Sequence, residues 1–107
     1  MELTTWNLPV LALRGLTVFP HMTLTFDVER PISIAALERA MEADQDIFLV
    51  TQREIEVNAP EEKDLYTIGT VSHITQILRL GQSSVRVMVE GRQRAHLRRL
   101  WQTEPFL

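Results

Sequence analysis

Val85-Arg86-Val87-Met88-Val89-Glu90-Gly91-Arg92-Gln93-Arg94-Ala95-His96-Leu97-Arg98-Arg99-Leu100 is the stretch whose reading decides how this chain folds. Read with a period of two, Val85, Val87, Val89, Gly91, Ala95 and Leu97 fall on one face. Arg86, Met88, Glu90, Arg92, Arg94, His96 and Arg98 fall on the other. The pattern predicts a half-buried antiparallel strand with an almost continuous basic stripe turned to solvent. Such a stripe can serve nucleic acid, a protein partner or solubility alone, and the sequence around it narrows the choice.

Working outward, Gly81-Gln82-Ser83 predicts the turn of a long hairpin whose first arm is the Thr-, Ile- and Val-rich run from Tyr66 to Leu80. Both arms are too long for one regular strand, so Gly69 and Gly91 are the expected bulges, where a strand bends round a barrel corner. Upstream, Leu8 to Leu13 reads as a short apolar strand with Thr17-Val18-Phe19 as a continuation. Pro20, which has no amide hydrogen, forces the chain out of the sheet or along its edge. Met22 to Val28 alternates, with Leu24, Phe26 and Val28 inward. Pro31 suits the first turn of a helix, and Ile34, Leu37 and Met41, with Ala40 beside them, form its docking stripe. Burying those three would contribute about 1.5–3 kcal/mol each as an upper bound. Asp44-Gln45-Asp46 ends the helix. Ile47-Phe48-Leu49-Val50 is continuous enough to be a strand covered on both faces. The polar run from Arg53 to Asp64, with Asn58 and Pro60, reads as a solvated loop. The chain is thus expected to be one domain of mainly β (α+β) class, with about six strands and one packed helix.

Composition limits the function. The chain has 107 residues, 45 % apolar and 23 % charged, which fits one soluble domain with one core. There is no cysteine, so disulfides, thiolate metal sites and cysteine nucleophiles are excluded. The net charge of −3 argues against a surface tuned as a whole to phosphates. Within the chain the charge is lopsided: acids dominate before residue 65, whereas Arg79, Arg86, Arg92, Arg94, Arg98 and Arg99 face the single Glu90. A contact on the basic side follows. No run approaches a membrane span, and the N-terminus has no basic region followed by an apolar one, so a cytoplasmic location is expected.

Catalytic patterns are missing. The one lysine, Lys63, follows no glycine-rich loop, which excludes a phosphate loop. Its hydrophilic setting offers nothing to desolvate it for a Ser-Lys dyad. None of Ser33, Ser72, Ser83 and Ser84 sits in a Gly-x-Ser-x-Gly elbow. His21, His73 and His96 lack metal-ligand spacing, and Glu54, Glu56, Glu61 and Glu62 share a loop with no paired acid-base pattern. The chain reads as non-enzymatic, with no catalytic, cofactor-binding or metal-binding residues.

Two passages carry a family resemblance. Leu8-Pro9-Val10-Leu11-Ala12-Leu13-Arg14-Gly15 with Val18-Phe19-Pro20-His21-Met22 is similar to the opening of the amino-terminal domain of the Lon proteases. Ile68-Gly69-Thr70-Val71 and Val87-Met88-Val89-Glu90-Gly91-Arg92-Gln93-Arg94-Ala95 resemble the Gly-Thr-Val and Val-Glu-Gly-x-x-Arg signatures of that family. Ala12 stands where the family usually has proline, which loosens the end of the first strand. The resemblance implies a PUA-like β pseudobarrel spanning residues 1–107. It also implies a domain excised at Leu107 from an ATP-dependent Ser-Lys endopeptidase, whose helical region, AAA+ motor with ATP and Mg, and protease domain lie elsewhere.

It further implies a module that engages unfolded or damaged protein substrates and contacts other protomers of a homo-hexamer. The candidate contacts are Phe19, Pro20 and Met22 at the strand break, and Met88 with Arg86, Arg92 and Arg94 on the outer face of the hairpin. A structural alternative, in which Phe19 and Met22 close one end of the barrel, ranks slightly ahead. Met88 would equally be covered by a lid or helix from beyond this chain. RNA binding along Arg86 to Arg98 is the reading from another class. It ranks second, because no outward position in that stretch offers an aromatic platform for a base.

Overall fold

The computed structural model describes residues 8–57, 60–81 and 83–97. Among the described residues five strands and one helix run in the order β1 (Val10–Leu13), β2 (Thr23–Val28), α1 (Pro31–Met41), β3 (Asp46–Thr51), β4 (Ile68–Arg79) and β5 (Val85–His96). A 3-10 turn, Glu62–Asp64, sits between β3 and β4. The strands form one sheet in the order β1-β3-β4-β5-β2. β1 lies parallel to β3, with Val10 opposite Phe48 and Leu13 opposite Thr51, and the other pairings are antiparallel. The mainly β class with one packed helix is as expected. The strand count among the described residues is one fewer, because Thr17-Val18-Phe19 runs as irregular chain.

The apolar residues separate into two clusters on opposite faces of the sheet. Leu11, Leu13, Val28, Leu37, Ile47, Leu49, Ile74, Val85, Val87 and Val89 form the larger one. It draws on β1 and β2 alike, although these strands stand at opposite edges, so the sheet curls round this core. Val10, Ala12, Phe48, Val50, Leu65 and Val71 form the second, with Ala95 and Leu97 packed against it. Covered on both faces, β1 and β3 have no polar side to alternate with, which is why they read as unbroken apolar runs.

Two slips of register produce the curl. On β4, Ile74 opposes Val89 and Gln76 opposes Met88, so Thr75 is an extra residue; on β5, Gly91 opposes Ser72 and Gln93 opposes Val71, so Arg92 is extra. Each extra residue bends its strand and increases the local twist. The bulge expected near Gly91 is therefore present one residue on. The one expected at Gly69 is not: Gly69 pairs regularly with Ala95. Its small size serves close approach instead, since a Cβ there would lie 2.5 Å from the Leu49 carbonyl oxygen and 2.6 Å from Phe48 Cζ.

α1 starts at Pro31 as expected, but its buried stripe is rotated. Ser33, Ala36, Leu37 and Ala40 are buried, whereas Ile34 is half-buried and Met41, the last helical residue, is 39 % exposed. Three small side chains let the helix lie close over β1 and β3, and that leaves no depth for Met41. The loop from Arg53 is solvated only in part: Pro60 is buried, and Asn58 lies outside the described residues. Arg30, which precedes α1, ties this region together. Its guanidinium donates to the Ala12 carbonyl at 2.6 Å and to Gln52 Oε1 at 2.5 Å.

Candidate protein-contact site

The site grows from a four-residue turn. Pro20 fixes the second position and His21 takes φ 69° at the third, while the Met22 N–H donates to the Phe19 carbonyl at 3.1 Å. Proline followed by a positive φ is the pattern of a type II turn, where glycine is the usual third residue. The turn is clamped to β5 at Gly91. The His21 N–H donates to the Gly91 carbonyl and the Gly91 N–H to the Met22 carbonyl, both at 2.8 Å. A Cβ on residue 91 would run into the Phe19 carbonyl oxygen. Behind the turn, Thr70 Oγ1 donates to the Val18 carbonyl at 2.6 Å. Pro-His at the strand break and the glycine of Val-Glu-Gly are thus two halves of one clasp.

The clasp holds an apolar tip in solvent. Phe19 is 48 % exposed and Met22 36 %, with Pro20 half-buried between them. Phe19 and Met22 therefore do not close the end of the core. The chain has to run outward there, because the Phe19 backbone occupies the space above Gly91. The guanidinium of Arg94 lies over the Phe19 ring, 5.2 Å from its centre.

The basic stripe does not survive as one surface. The extra residue at Arg92 reverses the alternation of β5, as a one-residue slip must. Val85, Val87 and Val89 accordingly face the larger core, while Ala95 and Leu97 turn to the smaller one. Arg94 opposes Thr70 and lines the same small depression as Val18 and Leu49. It is thus on the face opposite Arg86 and Met88. Arg98 lies outside the described residues. Each arginine of β5 in the candidate set has a local partner. Arg86 Nε donates to Asp27 Oδ1 at 2.8 Å and Nη2 to Oδ2 at 3.3 Å, and Arg92 Nε lies 3.1 Å from Glu90 Oε1. The Arg86 hydrogen bond holds the Asp27 carboxyl below its ordinary value of 3.8, and Asp27 in turn raises Arg86.

The candidate residues thus divide. Phe19, Pro20, Met22 and Arg94 come together at the clasp. Met88, half-buried between its cross-strand neighbours Thr25 and Gln76, shares the other face with Arg86. Across that face runs a polar row of register partners, Asp46, His73, Glu90 and Thr23, in which His73 Nδ1 lies 3.0 Å from Asp46 Oδ1. Sequence reasoning missed a second apolar feature, a groove of about 200 Å³ between α1 and the hairpin, lined by Ile34, Leu37, Ile77, Arg79 and Val85. Ile77 and Val85, apolar residues at the turn end of the two hairpin arms, and Ile34 on the helix line it and were the available signal. Among the described residues no three acidic or histidine side chains are grouped to hold a metal ion, and no helix is long and apolar enough to cross a membrane.

Residues 7–107 match the sequence profile of the ATP-dependent protease La (LON) substrate-binding domain. The chain is 49 % identical over 100 residues to a Lon protease of Clostridium acetobutylicum, covering 94 % of this chain and 13 % of that protein. It is 47 % identical over 91 residues to Lon protease 1 of Bacillus subtilis, covering 85 % and 12 %. It therefore spans about an eighth of the length of the curated relatives it matches. The fold is similar to the N-terminal domain of a Mycobacterium avium complex Lon protease, with a TM-score of 0.65 at 20 % identity over 83 % of this chain and 44 % of that one.

Proposed function

The chain belongs to the LON substrate-binding domain family, and on that footing we propose that it is a non-catalytic module that holds unfolded or damaged protein for an ATP-dependent protease. The observation that carries this reading is the clasped tip of Phe19, Pro20 and Met22, apolar and exposed yet held by hydrogen bonds to Gly91. A module that accepts many unfolded segments needs contact that is weak and tolerant of sequence. An aromatic ring supplies a large apolar area, and the flexible thioether of Met22 adapts to what it meets. Placed in a homo-hexamer, such sites gain roughly 10²–10⁴ in avidity without any one being tight. We assign ATP, Mg and peptide cleavage to the length of the relatives outside the matched region. The setting we infer is the cytoplasm, in keeping with a chain that has no cysteine.

The pairing of Arg86 with Asp27, of Arg92 with Glu90 and of Arg94 with Phe19 leaves little of the stripe for phosphates. Titrating the chain with a fluorescently labelled unfolded model protein and with labelled RNA tests the proposal. Saturable protein binding that persists between 50 and 200 mM salt is expected. RNA binding that falls roughly tenfold over that range, with no protein binding, would overturn it. Sedimentation at several concentrations tests the protomer contacts.

A further inference from the structure

We infer that the outer edge of β2 is a β-addition site that takes up an extended segment of unfolded polypeptide by backbone pairing. This rests on the reading above and gives it a mode of recognition distinct from the apolar tip. β2 is the last strand of the sheet, and β5 is the only strand paired with it among the described residues. The direction of its backbone groups follows from the clasp. Because the Gly91 N–H donates to the Met22 carbonyl, and antiparallel pairs alternate between bonded and non-bonded, Leu24, Phe26 and Val28 turn their N–H and C=O groups to Val89, Val87 and Val85. Thr23, Thr25 and Asp27 therefore point theirs away from the sheet. These three residues are exposed, and none of their backbone groups is bonded to another described residue.

Natural proteins guard such edges with lysine, proline, a bulge or very short strands. β2 has six residues, Thr23-Leu24-Thr25-Phe26-Asp27-Val28, in unbroken register. It has no lysine and no proline, and its one charge is turned back onto Arg86 of its own sheet. Pro20 and Pro31 stand on either side, so the open edge is a window of limited length rather than a template for indefinite pairing. An unfolded chain is defined chemically by unpaired backbone donors and acceptors, whatever its side chains. Three donors and three acceptors at strand spacing match a segment of about six residues, and pairing of this kind draws affinity from the main chain. Contact that ignores side chains is what a substrate-binding domain of a protease requires.

Amide hydrogen exchange of the chain by NMR, with and without a permanently unfolded model polypeptide, tests this directly. In the free chain the Thr23, Thr25 and Asp27 amides should exchange freely while those of Leu24, Phe26 and Val28 are protected; on binding, the first three should slow by about tenfold or more. Thr25→Pro, which removes the central donor, should weaken binding roughly tenfold. Polypeptide binding that leaves the three amides unprotected would overturn the edge site while the functional reading stands. No polypeptide binding at all would remove both. Protection that rises with protein concentration in the absence of polypeptide would overturn the proposal by assigning the edge to a second copy of the chain. The exchange measurement on the unaltered chain decides the matter even if Thr25→Pro does not fold.

Discussion

The carbonyl oxygen of Phe19 stands against the face of Gly91 from which a side chain would project, and the backbones on either side of this contact exchange two hydrogen bonds of 2.8 Å. A methyl group at position 91 would have to push the whole turn away, because its neighbour is backbone and not the end of a flexible side chain. Gly91→Ala is expected to destabilise the fold by about 1–3 kcal/mol, measured by urea denaturation. It should also weaken binding of unfolded protein at a temperature where the variant remains folded. An unchanged denaturation midpoint would show that the turn does not depend on the glycine.

His21 is the strained member of the same clasp. Its φ of 69° is one that side-chain-bearing residues seldom adopt, and the exposed imidazole makes no hydrogen bond that could compensate for it among the described residues. His21→Gly should stabilise the chain by about 0.5–1 kcal/mol. A lowered thermal midpoint would mean that the imidazole contributes more than the strain costs.

How much of this was legible in the sequence depends on the range of each interaction. The strands containing Leu24, Phe26 and Val28, and Ile47 to Val50, could be read because burial on one or both faces writes its period directly into the residues. The roles of the glycines could not. Gly69 and Gly91 look alike in sequence, yet one makes room for Phe48 and the other for Phe19, and both partners are distant along the chain. The basic stripe, continuous in sequence, is divided in the fold for a related reason. One extra residue at Arg92 reverses every later side chain, and nothing local says which residue is extra. Phe19, Pro20, Met22 and Arg94 are each legible as contact candidates, but that Arg94 joins the others while Arg86 and Met88 face the other way follows only from that slip.

Arg30 shows the same limit and yields a prediction. Standing at the start of α1, it donates to the Ala12 carbonyl on β1 and to Gln52 Oε1 beyond β3, and Gln52 is only 3 % exposed. Partial burial, with Arg14 nearby, lowers its pKa. Arg30→Ala leaves buried acceptors without their donor and should cost about 2–3 kcal/mol. Arg30→Lys should recover only part of this, because an ammonium cannot bridge both acceptors as a planar fork does. Chemical denaturation of the two variants checks the order.

The Asp27–Arg86 pair gives a pH dependence with a definite sign. Hydrogen bonding to Arg86 lowers the Asp27 pKa from 3.8, so the folded state prefers the carboxylate. The stabilising contribution is therefore fully present above the unfolded value and is lost as pH falls through the depressed folded value. NMR titration of the Asp27 side chain should show a midpoint below 3.8 that returns toward the ordinary value in Arg86→Ala. Because the pair is exposed, near-neutral stability should change little in that variant. A midpoint indifferent to Arg86 would dissolve the pair.

Phe19 separates binding from folding. Its ring is 48 % exposed and is tied to the domain through Arg94 at 5.2 Å, a contact worth about 0.5–1 kcal/mol at such a site. Phe19→Ala should therefore lower stability by no more than about 1 kcal/mol, while the clasp persists, because its hydrogen bonds are made by backbone. Removing an exposed aromatic anchor should nevertheless reduce affinity for an unfolded protein by about 1–2 kcal/mol, roughly five- to thirtyfold. Arg94→Ala should lose less, since it frees the ring without deleting it. A parallel titration and melt of the two variants tests this. Full affinity in Phe19→Ala would move the contact away from the tip, and a collapse in stability would return Phe19 to the role of closing the core.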